Sequence, residues 1–117
     1  MATMIKTVLY PAKDLEATTA LFTALVGTGP HVVSPYYVGF AVGDAEVGLL
    51  PLDQNPGMTG AEPFFDVDDI VAALAALSAL GAETLQEPRD VGGGLLVAKV
   101  RDPNGSVIGL KQSPTVA

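Results

Sequence analysis

One short segment of the chain combines the residues best suited to acid–base chemistry with aromatic rings. Alternate side chains of an extended strand share a face, so Glu62, Phe64 and Asp66 are expected on one side. Phe65 and Val67 then lie on the other side, toward a helix. If apolar neighbours surround Glu62, its carboxyl group is a candidate catalytic acid or base. The alternative is that Glu62 and Asp66 lie at the rim of the sheet as solvated carboxylates.

The chain has a single histidine, His31, and no cysteine. His31 could act as a metal ligand or a general base. The more ordinary interpretation is an exposed or hydrogen-bonded histidine at a strand edge, because one titratable group is weak evidence for a site. The absence of cysteine excludes disulfides, thiolate metal sites and cysteine nucleophiles.

A group of aromatic residues, Tyr36, Tyr37 and Phe40, falls at the start of a predicted strand. Aromatic rings stack on planar ligands and bury a large area, so Tyr37 and Phe40 are candidate ligand-binding residues. Packing in the core or against another subunit is the alternative for any one ring.

These residues belong to a sequence that repeats itself after about half its length. Asp14 and Asp69 each precede a helix-patterned segment and lie 55 residues apart, while Gly27 and Gly81 each follow one and lie 54 apart. Such self-similarity indicates two copies of one supersecondary unit. We expect a single domain, residues 1–117, with repeats at about 5–51 and 62–112 and a linker at 52–60.

Each repeat reads as β-α-β-β-β. The first helix begins after Asp14, and the second begins after Asp68 or Asp69. In the first strand, Thr7 and Leu9 should face away from the helix. The predicted strands are Ile5–Tyr10, His31–Ser34, Tyr37–Val42, Ala45–Pro51, Glu62–Val67, Glu83–Pro88, Leu95–Arg101 and Val107–Gln112.

Composition limits the classes of function. A net charge of −7 over 117 residues argues against a nucleic-acid partner, whose phosphates require lysine and arginine. No stretch approaches the ~20 apolar residues that span a bilayer, and no secretion signal is recognisable at the N-terminus. We therefore expect a cytoplasmic protein without a membrane partner. An apolar fraction of 49% is high for a monomer of this size and favours a homodimer.

The double β-α-β-β-β pattern and the closing segment RDPNGSVIG, Arg101 to Gly109, resemble the vicinal oxygen chelate superfamily. This superfamily includes glyoxalase I, bleomycin-resistance proteins and extradiol dioxygenases. The resemblance implies an α+β fold in which two βαβββ modules form a curled mixed-sheet cup, usually in a dimer, with a ligand or a metal inside. Ser106 and Gly109 stand where the family's signature usually has asparagine and glutamate.

The resemblance also implies where a divalent metal would be held, namely in the first and last strands of each repeat. The matching positions are Thr7, Gly48, Glu62 and Gly109. Only Glu62 offers a good donor, and a metal site needs several preorganised ligands. We therefore expect neither a metal nor another cofactor.

Three functions remain open. The first is a metal-free protein that sequesters a small aromatic or hydrophobic molecule in the cup. The second is a metal-independent isomerase, cyclase or lyase that uses Glu62 as its acid or base. The third is a metal-dependent glyoxalase or dioxygenase. Strand faces and aromatic rings select the candidate ligand-binding residues. They are Thr7, Leu9, Tyr37, Phe40, Glu62, Phe64 and Asp66.

Overall fold

The computed structural model describes residues 4–114, which form two compact units. The first unit comprises residues 6–62, and the second comprises residues 63–114 together with Met4 and Ile5. The strands are β1 (Met4–Ala12), β2 (Val32–Val33), β3 (Val38–Val42), β4 (Ala45–Pro51), β5 (Glu62–Asp66), β6 (Glu83–Asp90), β7 (Leu96–Arg101) and β8 (Val107–Gln112). The helices are α1 (Leu15–Val26) and α2 (Ile70–Ala79), and a 3-10 turn occupies Leu52–Gln54.

The strands of the two units are arranged by the same rule. In the first unit the order is β2-β3-β4-β1, with β1 parallel to β4 and the other neighbours antiparallel. In the second the order is β5-β8-β7-β6, again with one parallel pair, β5 and β8. A parallel neighbour requires a crossover connection, which the helix and the intervening strands supply. The α+β fold class with two βαβββ modules is therefore confirmed.

Helix α1 is delimited by the two residues that its sequence pattern indicated. The Asp14 carboxylate accepts a hydrogen bond from the Ala17 N–H at 3.0 Å, which caps the first turn. Gly27 follows the helix with φ 91°, a conformation that a residue with a side chain rarely adopts. The helix packs on the sheet through Phe22, whose ring centroid lies 5.1 Å from that of Tyr10 and 6.1 Å from that of Phe40.

Helix α2 begins after Asp69, which decides between the two predicted caps. The Asp69 carboxylate accepts from the Ala72 N–H at 3.0 Å, and the side-chain oxygen of Gln112 accepts from the Ile70 N–H at 2.7 Å. The core beneath this helix contains the buried residues Ile70, Leu74, Ala98, Val100 and Leu110, with Phe65 and Val67 packed against it. Neither helix within residues 4–114 is long and apolar enough to cross a membrane.

The predicted boundaries differ from the structure at β1 and at the second strand of each unit. Strand β1, predicted as Ile5–Tyr10, runs from Met4 to Ala12. The segment predicted as a strand from His31 to Ser34 pairs only at Val32–Val33, because a turn at Ser34 ends it. There the Ser34 N–H donates to the Tyr37 carbonyl at 2.9 Å. In the second unit β6 continues to Asp90, beyond the predicted end at Pro88.

Candidate functional site

The last strand of the first unit contains a glycine covered by an aromatic ring. A Cβ atom built on Gly48 would lie 2.5 Å from Cε1 of Tyr37 and 2.6 Å from Cδ2 of Leu9. Leu9 is the β1 neighbour of Gly48 in the parallel register. Since contacts this short do not occur, the Tyr37 ring and Leu9 fill the space that a side chain at position 48 would need.

The second unit repeats this relationship with a different ring. Phe64 is the parallel neighbour of Gly109, as Leu9 is of Gly48. A Cβ atom on Gly109 would lie 2.5 Å from Cδ2 of Phe64 and 2.6 Å from its Cγ. Phe64 is only 4% exposed, so its ring is buried against this glycine. Both modules thus place an aromatic ring over the glycine of their last strand.

Beside the Tyr37 ring, three polar side chains of the first unit are joined by short hydrogen bonds. The Tyr37 hydroxyl donates to Oε2 of Glu46 at 2.5 Å. The other carboxylate oxygen, Oε1, lies 2.6 Å from Nε2 of His31. The His31 side chain is 48% exposed and that of Glu46 29%, so this group lies at the surface of the unit.

The charge of this group is concentrated on Glu46. Burial, the hydrogen bond to Glu46 and the negative charge of Glu46, in that order, raise the pKa of the Tyr37 hydroxyl well above its ordinary value. The phenol therefore remains neutral and acts as a donor. A carboxylate only accepts hydrogen bonds, so a neutral His31 must carry its proton on Nε2 to bond Glu46.

Local backbone structure brings these side chains together. Ser34 closes the turn before β3, since its hydroxyl oxygen accepts from the Tyr37 N–H at 3.1 Å. The His31 N–H donates to the Gly39 carbonyl at 2.9 Å, which aligns the residue before β2 with β3. Gly39 faces Gly48 across the β3–β4 pair, and a Cβ atom on Gly39 would clash with both Glu46 and the Tyr37 ring. The glycine is thus needed for the group to form.

In the second unit, one charged side chain lies over the Phe64 ring, and an ion pair is formed two residues further along β5. Nζ of Lys99 lies 5.8 Å from the centroid of that ring, within the range of a cation–π contact. Nζ of Lys111 lies 3.7 Å from Oδ1 of Asp66. Asp66 is half-buried, so its carboxylate is not the fully solvated group that one of the two interpretations of the sequence required.

The predicted site residues divide between the two units. Leu9 and Tyr37 lie together against Gly48 in the first unit. Thr7 is half-buried in the same unit, opposite Glu46 in the β1–β4 register. Phe64 and Asp66 belong to the second unit.

The prediction for Phe40 is wrong. Phe40 has no exposed surface and belongs to the core cluster with Val38 and Leu49 under α1, where Phe22 contacts it. It therefore lies on the helix side of the sheet and cannot line a site with Tyr37. The reason is the strand parity: residues 37 and 40 are separated by an odd number of positions, so they point to opposite faces.

The predicted acid or base, Glu62, is 4% exposed. This burial rules out the interpretation of Glu62 as a solvated carboxylate at the rim. Burial of a carboxyl group is one of the features expected of a catalytic acid or base, although structural carboxylates are also buried.

Glu46 is the residue of this group that the sequence interpretation missed. The sequence does indicate the position of Glu46: it precedes Gly48 by two positions, so both residues lie on the same face of β4. His31 is the hydrogen-bonded histidine of the more ordinary interpretation.

The positions at which family members hold a divalent metal do not fit one in this chain. Gly48 and Gly109 have no side chains, and rings occupy the space that a ligand at either position would need. Thr7 offers only a hydroxyl. Within residues 4–114 no group of three or more histidine, cysteine, aspartate or glutamate side chains could hold a metal ion. The donor set therefore lacks the several ligands that a metal site requires.

Several solved structures share this fold over nearly the whole chain. A hypothetical protein from Bacillus halodurans has a TM-score of 0.79 at 12% identity, covering 100% of this chain and 99% of its own. A glyoxalase/bleomycin resistance protein/dioxygenase superfamily member from Vibrio splendidus has a TM-score of 0.73 at 16% identity, covering 96% and 100%. A variant of the Streptomyces coelicolor methylmalonyl-CoA epimerase, in complex with 2-nitronate-propionyl-CoA, has a TM-score of 0.71 at 20% identity, covering 99% and 98%.

At these identities the similarity establishes the fold and not the activity. No curated protein matches the sequence. The sequence profile of the Glyoxalase/Bleomycin resistance protein/Dioxygenase superfamily matches residues 4–110. The profile and the repeated βαβββ fold agree: the chain belongs to the Glyoxalase/Bleomycin resistance protein/Dioxygenase superfamily.

Proposed function

We propose that this protein binds a small aromatic or hydrophobic molecule without a divalent metal, as a sequestering member of its superfamily. One observation carries the proposal: in both modules an aromatic ring covers the glycine that replaces a metal ligand. Tyr37 covers Gly48, and Phe64 covers Gly109. Aromatic and aliphatic side chains thus stand where a metal-using relative would hold charged or imidazole donors.

The composition of the first unit's surface supports this class of ligand. Leu9 and the half-buried Tyr37 give it apolar and aromatic area. Binding sites for small molecules combine such area with a few polar groups that fix the ligand's orientation. The Tyr37–Glu46–His31 group supplies those polar contacts. Thr7, on the strand that carries Leu9, is the remaining ligand contact that we propose in this unit.

A fluorescence titration tests the binding function. The protein has no tryptophan and three tyrosines, so tyrosine emission reports a ligand that approaches Tyr37. A panel of uncharged and charged aromatic compounds is titrated in the presence of EDTA. We expect saturable quenching by at least one compound, unchanged by the chelator.

A matched pair of variants locates the binding. Tyr37→Leu should weaken the affinity about tenfold or more, because it removes the ring and its hydroxyl. Tyr36→Leu should leave the affinity unchanged, because Tyr36 is 66% exposed and lies outside the ring–glycine contact. Absence of saturable quenching across the panel would refute the binding function. If the two substitutions weaken the affinity equally, the ligand does not bind at Tyr37.

A second candidate function is a metal-independent isomerase, cyclase or lyase that uses Glu62 as its acid or base. The observation that favours it is the burial of Glu62, since a buried carboxyl group is suited to proton transfer.

One structural neighbour is a methylmalonyl-CoA epimerase, so methylmalonyl-CoA is a reasonable first substrate, assayed in EDTA. Glu62→Gln should abolish turnover, whereas Glu87→Gln, an exposed residue of β6, should not. Turnover retained in Glu62→Gln would remove this candidate.

Assembly and location belong to the same proposal. A homodimer is supported by large exposed apolar side chains, among them Leu21 and Leu25 on α1 and Leu80 after α2. Light scattering at micromolar concentration should give the mass of two chains, and the mass of one chain would contradict the dimer. We propose a cytoplasmic location on the basis of the sequence alone.

A further inference from the structure

The Tyr37–Glu46–His31 group has a charge and a geometry that select among aromatic ligands. Glu46 is the acceptor for both neighbours. A carboxylate has about four lone-pair sites, and these two bonds use two of them. Glu46 is 29% exposed, so its remaining acceptor capacity is accessible at the surface of the unit.

Neither Tyr37 nor His31 holds a fixed positive charge against the Glu46 carboxylate. The Tyr37 hydroxyl stays protonated and donates a hydrogen bond without contributing a charge. His31 is 48% exposed, and it is attached to Glu46 through one ring nitrogen only. An exposed imidazole can swing away at small cost, because its contact competes with water. A ligand group that is a better partner can therefore replace it.

The residues around Glu46 favour a ligand in which the group that binds Glu46 is attached to a planar ring. Gly39 and Gly48 lie opposite each other on β3 and β4, so no side chain projects from either position. The Tyr37 ring lies over both glycines. The half-buried Tyr37 ring is therefore the aromatic surface next to the Glu46 carboxylate.

We infer that Glu46 is the recognition group for a cationic nitrogen on an aromatic ligand, and that this nitrogen takes the position of the His31 imidazole. The ligand class is an aromatic amine salt or a similar base that is protonated at neutral pH. Charge-assisted hydrogen bonds between an ammonium group and a carboxylate are about twice as strong as neutral ones. The net charge of −7 also attracts cations to the protein. The inference rests on the proposed binding function and narrows its ligand.

Three probes of nearly equal shape test the inference: naphthylmethylamine, naphthalenemethanol and naphthoate, which are cationic, neutral and anionic at pH 7. Their affinities are measured by isothermal titration calorimetry. The NMR signals of the His31 ring, the only histidine ring in the chain, are followed in parallel. We expect the amine to bind about tenfold more tightly than the alcohol, with the anion weakest. The amine alone should shift the His31 signals to those of a ring released from Glu46.

Two substitutions with the same change in net charge separate the carboxylate from the overall field of the protein. Glu46→Gln should remove the preference for the amine over the alcohol. Glu16→Gln, at an exposed position of α1, should keep the preference. His31→Gln removes the competing imidazole, so this variant should bind the amine more tightly than the native chain. Circular dichroism confirms that each variant is folded.

The outcomes distinguish this inference from the proposed function. If the amine and the alcohol bind equally well, or if Glu46→Gln keeps the preference for the amine, the cation inference is overturned and the binding function stands. If none of the three probes binds saturably, the cation inference is overturned, and the binding function is refuted only if the whole panel of aromatic compounds also gives no saturable quenching.

Discussion

The hydroxyl of Tyr37 donates a 2.5 Å hydrogen bond to Oε2 of Glu46 across the surface of the first unit. The same tyrosine ring prevents any side chain at Gly48. One residue therefore places an aromatic ring over Gly48 and orients the carboxylate of Glu46 beside it. This double role makes Tyr37 the residue whose substitution should be most informative.

Tyr37→Phe should retain the ring over Gly48 and lose only the hydrogen bond. A half-buried hydrogen bond to a carboxylate contributes about 1–2 kcal/mol, so the free energy of unfolding should fall by about that amount in urea denaturation. Tyr36→Phe is the control, because Tyr36 is exposed and should show no measurable change. Equal stability of the native chain and Tyr37→Phe would show that the hydrogen bond contributes nothing.

Alkaline pH should expose the same interaction. The pKa of Tyr37 is raised in the folded protein above the value of about 10 for an unfolded tyrosine. The folded state therefore holds this proton more tightly, and its contribution to stability is complete below pH 10 and is lost as the pH rises further. Unfolding free energies measured between neutral pH and pH 11 should decline less steeply in Tyr37→Phe. A decline of the same slope in both proteins would contradict the raised pKa.

The tautomer of His31 should be fixed by Glu46. When the ring is neutral, the proton should reside on Nε2, since that nitrogen faces the carboxylate at 2.6 Å. Long-range nitrogen–proton NMR correlations on the single histidine measure this directly. In Glu46→Gln the preference should weaken, because an amide can either accept or donate. A dominant Nδ1–H tautomer in the native chain would contradict the contact.

Gly109→Ala should destabilise the protein by about 1–3 kcal/mol, the usual cost of overpacking. The added Cβ would lie 2.5 Å from the buried ring of Phe64, so the ring or the strand would have to shift. Gly57→Ala, where the same atom would meet nothing within 4 Å, is the control. Thermal unfolding measures both.

A double-mutant cycle identifies the cause of that loss. Gly109→Ala should cost less in a Phe64→Leu background, because the smaller side chain leaves space for the methyl group. Strictly additive effects would mean that the ring is not what excludes the side chain.

The start of α2 depends on one of two neighbouring aspartates. Asp69→Ala should lower the free energy of unfolding by about 1 kcal/mol, since its carboxylate caps the Ala72 N–H. Asp68→Ala should change it little, because Asp68 is exposed and is not the capping residue. The reverse order in urea denaturation would contradict the assigned cap.

The sequence was sufficient to predict the fold because its signals are local and occur twice. Asp14 and Asp69 open helices, glycines follow them, and alternating residues mark the strands. Because the pattern occurs in both repeats, each helix or strand assignment in one repeat supports the equivalent assignment in the other. The site was only partly predictable. Strand parity predicts that Phe65 and Val67 pack toward the helix, as they do, and the same parity separates Tyr37 from Phe40.

Spacing places Glu46 on the same face of β4 as Gly48, but it does not predict the hydrogen bonds of Glu46 to Tyr37 and His31. These bonds depend on the register of β3 against β4 and on the turn at Ser34, and both are set by tertiary pairing. The ring over Gly109 likewise depends on the register of β5 and β8. A glycine in a strand indicates that something approaches closely, without identifying what approaches.

Native mass spectrometry of the protein, purified from its host without chelators, tests the central claim most directly. It measures bound metal, bound small molecule and subunit number in the same spectrum. We predict a metal-free protein that retains a small aromatic molecule, and Tyr37→Leu should lose that molecule while Tyr36→Leu keeps it. A stoichiometric divalent metal in the native protein would contradict the account.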